Sequence, residues 1–264
     1  MPKNFYPDNM VKKKKSSRIG SILSLILILV GIGLCVMLAL LFSNLITVGS
    51  FSFLNNNEMK KNGYTIYAVS IYQSTNFSSS GSNAASQQDK GYAGYVYFDN
   101  GIFYVLASGY KEKSDADKVV EKLMSEGVNA KIVPIGVAST SISGSFSNQQ
   151  QSTLSSALTS FSSSFDSLYD MSVSLDTKVS TENEIRNQLN SLLSQKKSLK
   201  KDFDSAFAQN KSQELLEISL SLGDVVDYID ATLSQSDTPL SSKLKYCYFQ
   251  IIEENLNLKR ALEN

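Results

Sequence analysis

The chain has 264 residues, 25 of them lysine or arginine and 25 aspartate or glutamate, with two cysteines and no histidine. Zero net charge gives no bulk attraction to nucleic acid. The lack of histidine removes the commonest general base, the commonest zinc ligand and every Ser-His or Cys-His nucleophile pair.

Residues 1–18 form a basic tail: Lys3, Lys12 to Lys15 and Arg18 stand against a single acid, Asp8. Residues 19–48 carry no charge. Within them Ile22 to Phe42 is long enough for a transmembrane helix, which needs about 20 apolar residues. The basic flank predicts a cytoplasmic N-terminus and an extracytoplasmic remainder, hence a single-pass protein of the cell membrane. The lysine run reads as this topology signal rather than as a lipid site. A cleaved signal peptide is the rival, but its apolar core runs to only about 7–15 residues, and Val48-Gly49-Ser50 is a weak cleavage match. Cys35 follows the large Leu34, so no lipidation is expected. A disulfide between Cys35, inside the apolar run, and Cys247 is not expected either, and Cys247 reads as a small core residue.

Residues 49–62 read as a linker and 63–136 as an α/β domain. Tyr64 to Tyr72 is rich in β-formers. The Ser- and Gln-rich stretch after it allows a short helix from Asn83 to Lys90, capped by Ser82 and stopped by Gly91. Tyr92 to Phe98 and Ile102 to Ser108 are strands around the hairpin signal Asp99-Asn100-Gly101. Ser114, with Asp117 three residues on, resembles a capping box for a helix carrying Ala116, Val119, Val120, Leu123 and Met124 on one face and ending at Gly127. Ala130 to Val133 extends again, and Pro134 ends it. The order β-α-β-β-α-β buries one sheet face under two helices and leaves the other face open.

Residues 137–151 read as a linker, and 152–264 as an all-α helical bundle. Leu154, Leu158, Phe161, Phe165 and Leu168 step by four and three. So do Ile185, Leu189 and Leu192, then Leu215, Ile218, Leu222 and Val225, then Leu240, Leu244, Cys247 and Ile251. Breaks fall at Thr181 with Glu184, at 210–212, and at Thr238-Pro239. Four helices with short turns predict an up-down bundle, with an intermolecular coiled coil as the alternative. Lys196, Lys197, Lys200 and Lys201 read as a solvated helix face.

The α/β stretch, best in FYVLASGYKEKSDADKVVEKLMSEGVNAKIVPI (103–135), resembles a SPOR domain, the bacterial peptidoglycan-binding repeat. The family shows a strand ending in a small residue and an aromatic, then charges, an amphipathic helix, glycine, and a strand ending near proline. The resemblance implies an α+β, ferredoxin-like (RNP-like) βαββαβ domain, here preceded by one transmembrane helix and followed by a helical bundle. It also implies binding of glycan strands stripped of their stem peptides, at division or sporulation septa. The family's binding positions fall at Tyr67 (glutamine in the family), Ser70, Ile102, Tyr104 and Ile132. Tyrosine suits sugar by its flat apolar face and its hydroxyl, so Tyr67, Ser70 and Tyr104 are expected to line the glycan face.

Each of the strand tyrosines also has an ordinary packing role open to it. An aromatic sheet of this order could serve RNA, but the basic third-strand motif is missing. Asp224, Asp227 and Asp230 read as solvated charge rather than a metal site, and no serine stands in a nucleophile motif. The expected function is therefore non-catalytic glycan binding without a cofactor or metal, the bundle holding a protein partner. The competing reading is a membrane-tethered helical scaffold whose α/β head is a degenerate protein-interaction module.

Overall fold

The computed structural model describes residues 52–54, 58–210, 212–234 and 238–263. The expected membrane span and basic tail lie outside them, and among the described residues no helix is long and apolar enough to cross a membrane. The chain is a mixed α+β protein with the element order β1 (Ser52–Leu54), β2 (Glu58–Lys61), β3 (Tyr64–Ser74), α1 (Phe77–Gln88), β4 (Tyr95–Asp99), β5 (Ile102–Tyr110), α2 (Lys113–Ser125), β6 (Lys131–Val137), β7 (Thr140–Ser143), α3 (Asn148–Asp176), α4 (Glu182–Ala206), α5 (Gln213–Ser234) and α6 (Leu240–Glu263).

The main sheet is antiparallel with strand order β4-β5-β3-β6. The β4–β5 hairpin turns on Asn100 and Gly101, both at positive φ (48° and 80°), as a two-residue turn matched to strand twist requires. One sheet face carries Val69, Ile71, Val105 and Ala107, buried against Ala84 of α1 and Ala116 and Leu123 of α2. α1 starts at Asn76, whose side chain accepts from the Ser79 N–H, six residues before the expected cap at Ser82. α2 starts two residues earlier than its sequence signal, with its cap at Glu112 rather than Ser114. Glu112 holds the cap position without a side-chain bond, and the Lys113–Asp117 pair at 2.8 Å spans the first turn. Pro134 does not end β6 but sits within it, opposite Tyr67. Because β6 is an edge strand, the missing N–H costs no ladder bond there.

The stretches 49–62 and 137–151 are more than linkers. They supply β1, β2 and β7, which form a second antiparallel sheet in the order β1-β2-β7, and the first turn of α3. In β7, Thr140 and Ile142 are buried while Ser141 and Ser143 are exposed, a period-2 pattern that the serine-rich composition obscures.

The four C-terminal helices bury the expected seam, including Leu154, Phe161, Phe165, Ile185, Leu189, Ile218, Val225, Leu244 and Ile251. Each fully buried side chain of this size contributes about 1.5–3 kcal/mol of transfer free energy. α3 and α4 each open with a complete capping box, at Ser147/Gln150 and Thr181/Glu184, so two orphan donors are satisfied at each start. Each helix packs on its neighbours in sequence, and α3 also packs on α6, which closes the ring. Lys196 is not solvated. It is buried, its ammonium 3.2 Å from Ser160 Oγ and 3.3 Å from the Ser160 carbonyl and from Ser163 Oγ.

Residues 49–264 form one compact unit, because bundle and sheet share a core. Ile66, Ala68, Tyr95, Leu106, Ile135 and Val137 belong to the same buried cluster as Phe165, Tyr248, Phe249 and Ile252. The second sheet face, expected to be open, is therefore partly covered. The reason lies in α6, which carries a second apolar stripe, Tyr248, Phe249 and Ile252, beside its bundle-facing seam.

Candidate functional site

The hydrogen bonds and ring contacts that α6 makes with the sheet gather towards one end of it. Phe249 stacks on Tyr95 with ring centroids 5.5 Å apart, and Tyr246 meets Tyr95 edge-on at 5.1 Å. The Tyr95 hydroxyl donates to Glu253. The Tyr248 hydroxyl accepts from the Gly109 N–H at 2.8 Å, and Asn255 donates to the Tyr64 hydroxyl at 3.1 Å. Lys259 donates to the Ser139 carbonyl at 2.9 Å. These contacts fall where β3 and β4 begin, where β5 finishes and just past the end of β6. Lys111–Asp166 at 2.6 Å ties the α3 side in the same way.

Two residues further along β4 and β5 the same face carries a row of side chains across all four strands, in which Tyr97 and Tyr104 still pack against the shared core. Tyr97 of β4 pairs with Tyr104 of β5, and Tyr104 pairs with Gln73 of β3. Lys131 of β6 donates to Gln73 Oε1, and its ammonium lies 4.6 Å from the Tyr104 ring centroid. Tyr97 and Tyr104 are half-buried; Gln73 and Lys131 are exposed. Tyr97 is closest to α6, and its hydroxyl pKa is raised, by burial first and then by Asp99, with Arg260 opposing. A cleft of about 300 Å³ adjoins the row, lined by Ser70, Ile71, Tyr72, Gln73, Asn129 and Lys131. Its shape follows from a register irregularity in β3 on either side of Ser70, of the kind that re-aims side chains at sheet edges.

The five positions singled out from the sequence divide between the two faces. Ser70, Ile102 and Tyr104 share the face of the row. Ser70 is buried, and its hydroxyl donates to the Tyr72 carbonyl at 2.9 Å. Ile102 is half-buried opposite Asp99. Tyr67 and Ile132 lie on the other face, half-buried against the cluster under α1 and α2. The period-2 alternation dictates this division, since Tyr67 is one residue out of phase with Ile66 and Ala68.

Gln73, Asn129 and Lys131 carry no signal in the sequence, and Tyr97 stands there only as one of the strand tyrosines. Its place in the row was within reach of the sequence: a two-residue turn at Asn100-Gly101 fixes Tyr97 opposite Tyr104. Gln73 depends on the irregularity in β3, which leaves no sequence mark. Chemically the row offers an aromatic ring, an amide and an ammonium within reach of one extended ligand. Among the described residues no group of three or more Cys, Asp or Glu is placed to hold a metal ion, and Asp230 pairs with Lys197 at 3.5 Å. The chain matches no protein-family model, no curated protein and no solved structure.

Proposed function

We propose that the chain is a non-catalytic, membrane-anchored protein that binds peptidoglycan glycan strands stripped of stem peptides, at division or sporulation septa. The observation that carries this reading is the Tyr97–Tyr104–Gln73–Lys131 row, half-buried at its tyrosines and exposed at Gln73 and Lys131. An extended sugar chain suits such a row, its apolar C–H faces stacking on rings and its hydroxyls meeting the amide and ammonium. The strand order β4-β5-β3-β6 and the β-α-β-β-α-β connectivity agree with the SPOR-like pattern of 63–136. In this reading residues 19–48 supply the anchor and the N-terminus is cytoplasmic. β3 then extends about 30 Å from Tyr64 to Gln73, at about 3.3 Å per residue, so the row sits far along the domain from where the chain enters it.

Co-sedimentation of the full chain with purified cell-wall sacculi, before and after amidase treatment, tests this. Wild type is retained and amidase treatment increases retention, whereas Tyr104→Ala with Lys131→Ala lowers retention roughly tenfold, the equivalent of about 1.4 kcal/mol. Equal retention of wild type and variant rules the site out. No retention of wild type favours the scaffold alternative, which is supported by the packing of α6 on part of the sheet face.

A further inference from the structure

The outward face of α5 leaves two leucines open to solvent. Leu216 and Leu220 are 50% and 55% exposed, one turn apart on the same stripe as Asp224 and Asp227. The two flanks of this stripe differ in charge. On the α4 side the lysines are engaged: Lys200 with Asp204 at 2.5 Å and with Ser219 at 3.1 Å, Lys197 with Asp230 at 3.5 Å. On the α6 side stand Glu217, Asp224, Asp227, Glu253 and Glu254, and among the described residues none of them has an ion-pair partner. Glu254 is held by Ser221 at 2.5 Å and Glu253 by Tyr95, both neutral donors.

This excess of negative charge affects the groups around it. Burial raises the pKa of Asp224, with Asp227 adding to it. Burial likewise raises Glu254, with Asp224, Glu253 and Glu217 adding to it. The Tyr228 hydroxyl between them is pushed up to about 12, by burial and then by Glu254, Asp224, Glu253 and Asp227. No other described surface of the bundle combines exposed leucines with acids lacking cations.

We infer that this face of α5 docks a lysine- or arginine-rich amphipathic helix of another protein. Its apolar residues would lie on Leu216 and Leu220 and its basic row on Glu217, Asp224, Asp227 and Glu254. An apolar pair at i, i+4 is the anchor spacing of helix-on-helix recognition. The complementary charge fixes which way the partner's basic side turns, because the acids of the α4 flank, Asp204 and Asp230, are already paired with Lys200 and Lys197. The second copy of this chain is a poor occupant, since a symmetric pairing on Leu216 and Leu220 brings Asp227 towards its own counterpart. The inference does not depend on glycan binding.

The test uses the full chain in non-ionic detergent micelles, with empty micelles as reference. The probe is a fluorescent, roughly 18-residue leucine/lysine amphipathic peptide, beside a lysine-only and a leucine/glutamate peptide of the same length. The leucine/lysine peptide binds above the micelle background and weakens with salt. Leu216→Ser with Leu220→Ser, and separately Asp224→Asn with Asp227→Asn, each weaken it roughly tenfold or more, while the thermal melt stays within a few degrees of wild type. Binding that neither double variant changes overturns the inference, as does equal binding of the lysine-only or leucine/glutamate peptide. So does a full-chain dimer that Leu216→Ser with Leu220→Ser dissociates.

Discussion

The Tyr248 hydroxyl on α6 accepts a hydrogen bond from the Gly109 N–H on β5 at 2.8 Å. Both residues are buried, and the bond joins an α/β layer to a helical bundle 139 residues further along the chain. A phenylalanine in place of Tyr248 keeps the ring but leaves a buried N–H unsatisfied, which costs about 1–3 kcal/mol. Gly109→Ala attacks the same contact sterically. Its Cβ would sit 3.1 Å from Ile66 Cγ2 and 3.2 Å from Phe249 Cζ, and overpacking of this kind costs about 1–3 kcal/mol. Urea titration followed by far-UV and near-UV circular dichroism checks both variants. Because sheet and bundle share one core, each variant shifts a single coincident transition. Two separated transitions would mean that the layers unfold independently.

Cys247 is fully buried in α6, and burial pushes its thiol up to about 12 from the ordinary 9.0, against a hydrogen bond with Thr232. The thiolate is the reactive form. Iodoacetamide at about pH 8, near the ordinary thiol pKa, therefore leaves the peptide containing Cys247 unmodified in the native protein and labels it after denaturation, as peptide mass mapping reports. The raised folded-state value also sets a pH dependence. This contribution to stability is fully present below the unfolded value near 9 and is lost as pH rises from there towards about 12.

Glu254 shows the same linkage in the acid range. Its carboxyl pKa is raised, by burial and then by Asp224, Glu253 and Glu217, with the Ser221 bond opposing. A folded-state value above the unfolded one means that the folded chain binds the proton more tightly. The stabilisation is present below the ordinary carboxylate value and falls away as pH rises through the raised one. Glu254→Gln, which keeps an acceptor for Ser221, raises the melting temperature near neutral pH more than at about pH 4, close to the ordinary carboxylate range. Calorimetry at the two pH values checks this; an equal or reversed effect would contradict it.

Most of the fold could be read from residue periodicity. The four bundle seams, the Thr181/Glu184 capping box and the Asn100-Gly101 turn are local signals, and local signals survive without tertiary knowledge. What could not be read was the docking of α6 on the sheet. Tyr248, Phe249 and Ile252 sit beside the expected seam of Leu244, Cys247 and Ile251, so α6 is apolar on two adjacent faces. A sequence reading assigns one core to such a helix, whereas this helix serves two. The same omission left the second sheet face open and hid which part of it stays accessible. The placement of Tyr67 and Ile132 behind the sheet is a matter of phase, one residue along a strand deciding the face. Lys196 illustrates a different limit. A lysine on a seam position reads as solvent-facing, yet Ser160 and Ser163 on α3 give it acceptors inside the bundle.

Glycan binding by the Tyr97–Tyr104–Gln73–Lys131 row is decided by an amide chemical-shift titration. The isotope-labelled protein is titrated with short glycan strands whose stem peptides have been removed. Binding at the row gives saturable shifts centred on Gln73, Tyr97, Tyr104, Asn129 and Lys131, with Tyr67 and Ile132 unmoved. Shifts centred on Tyr67 and Ile132, or none at saturating glycan, would contradict it.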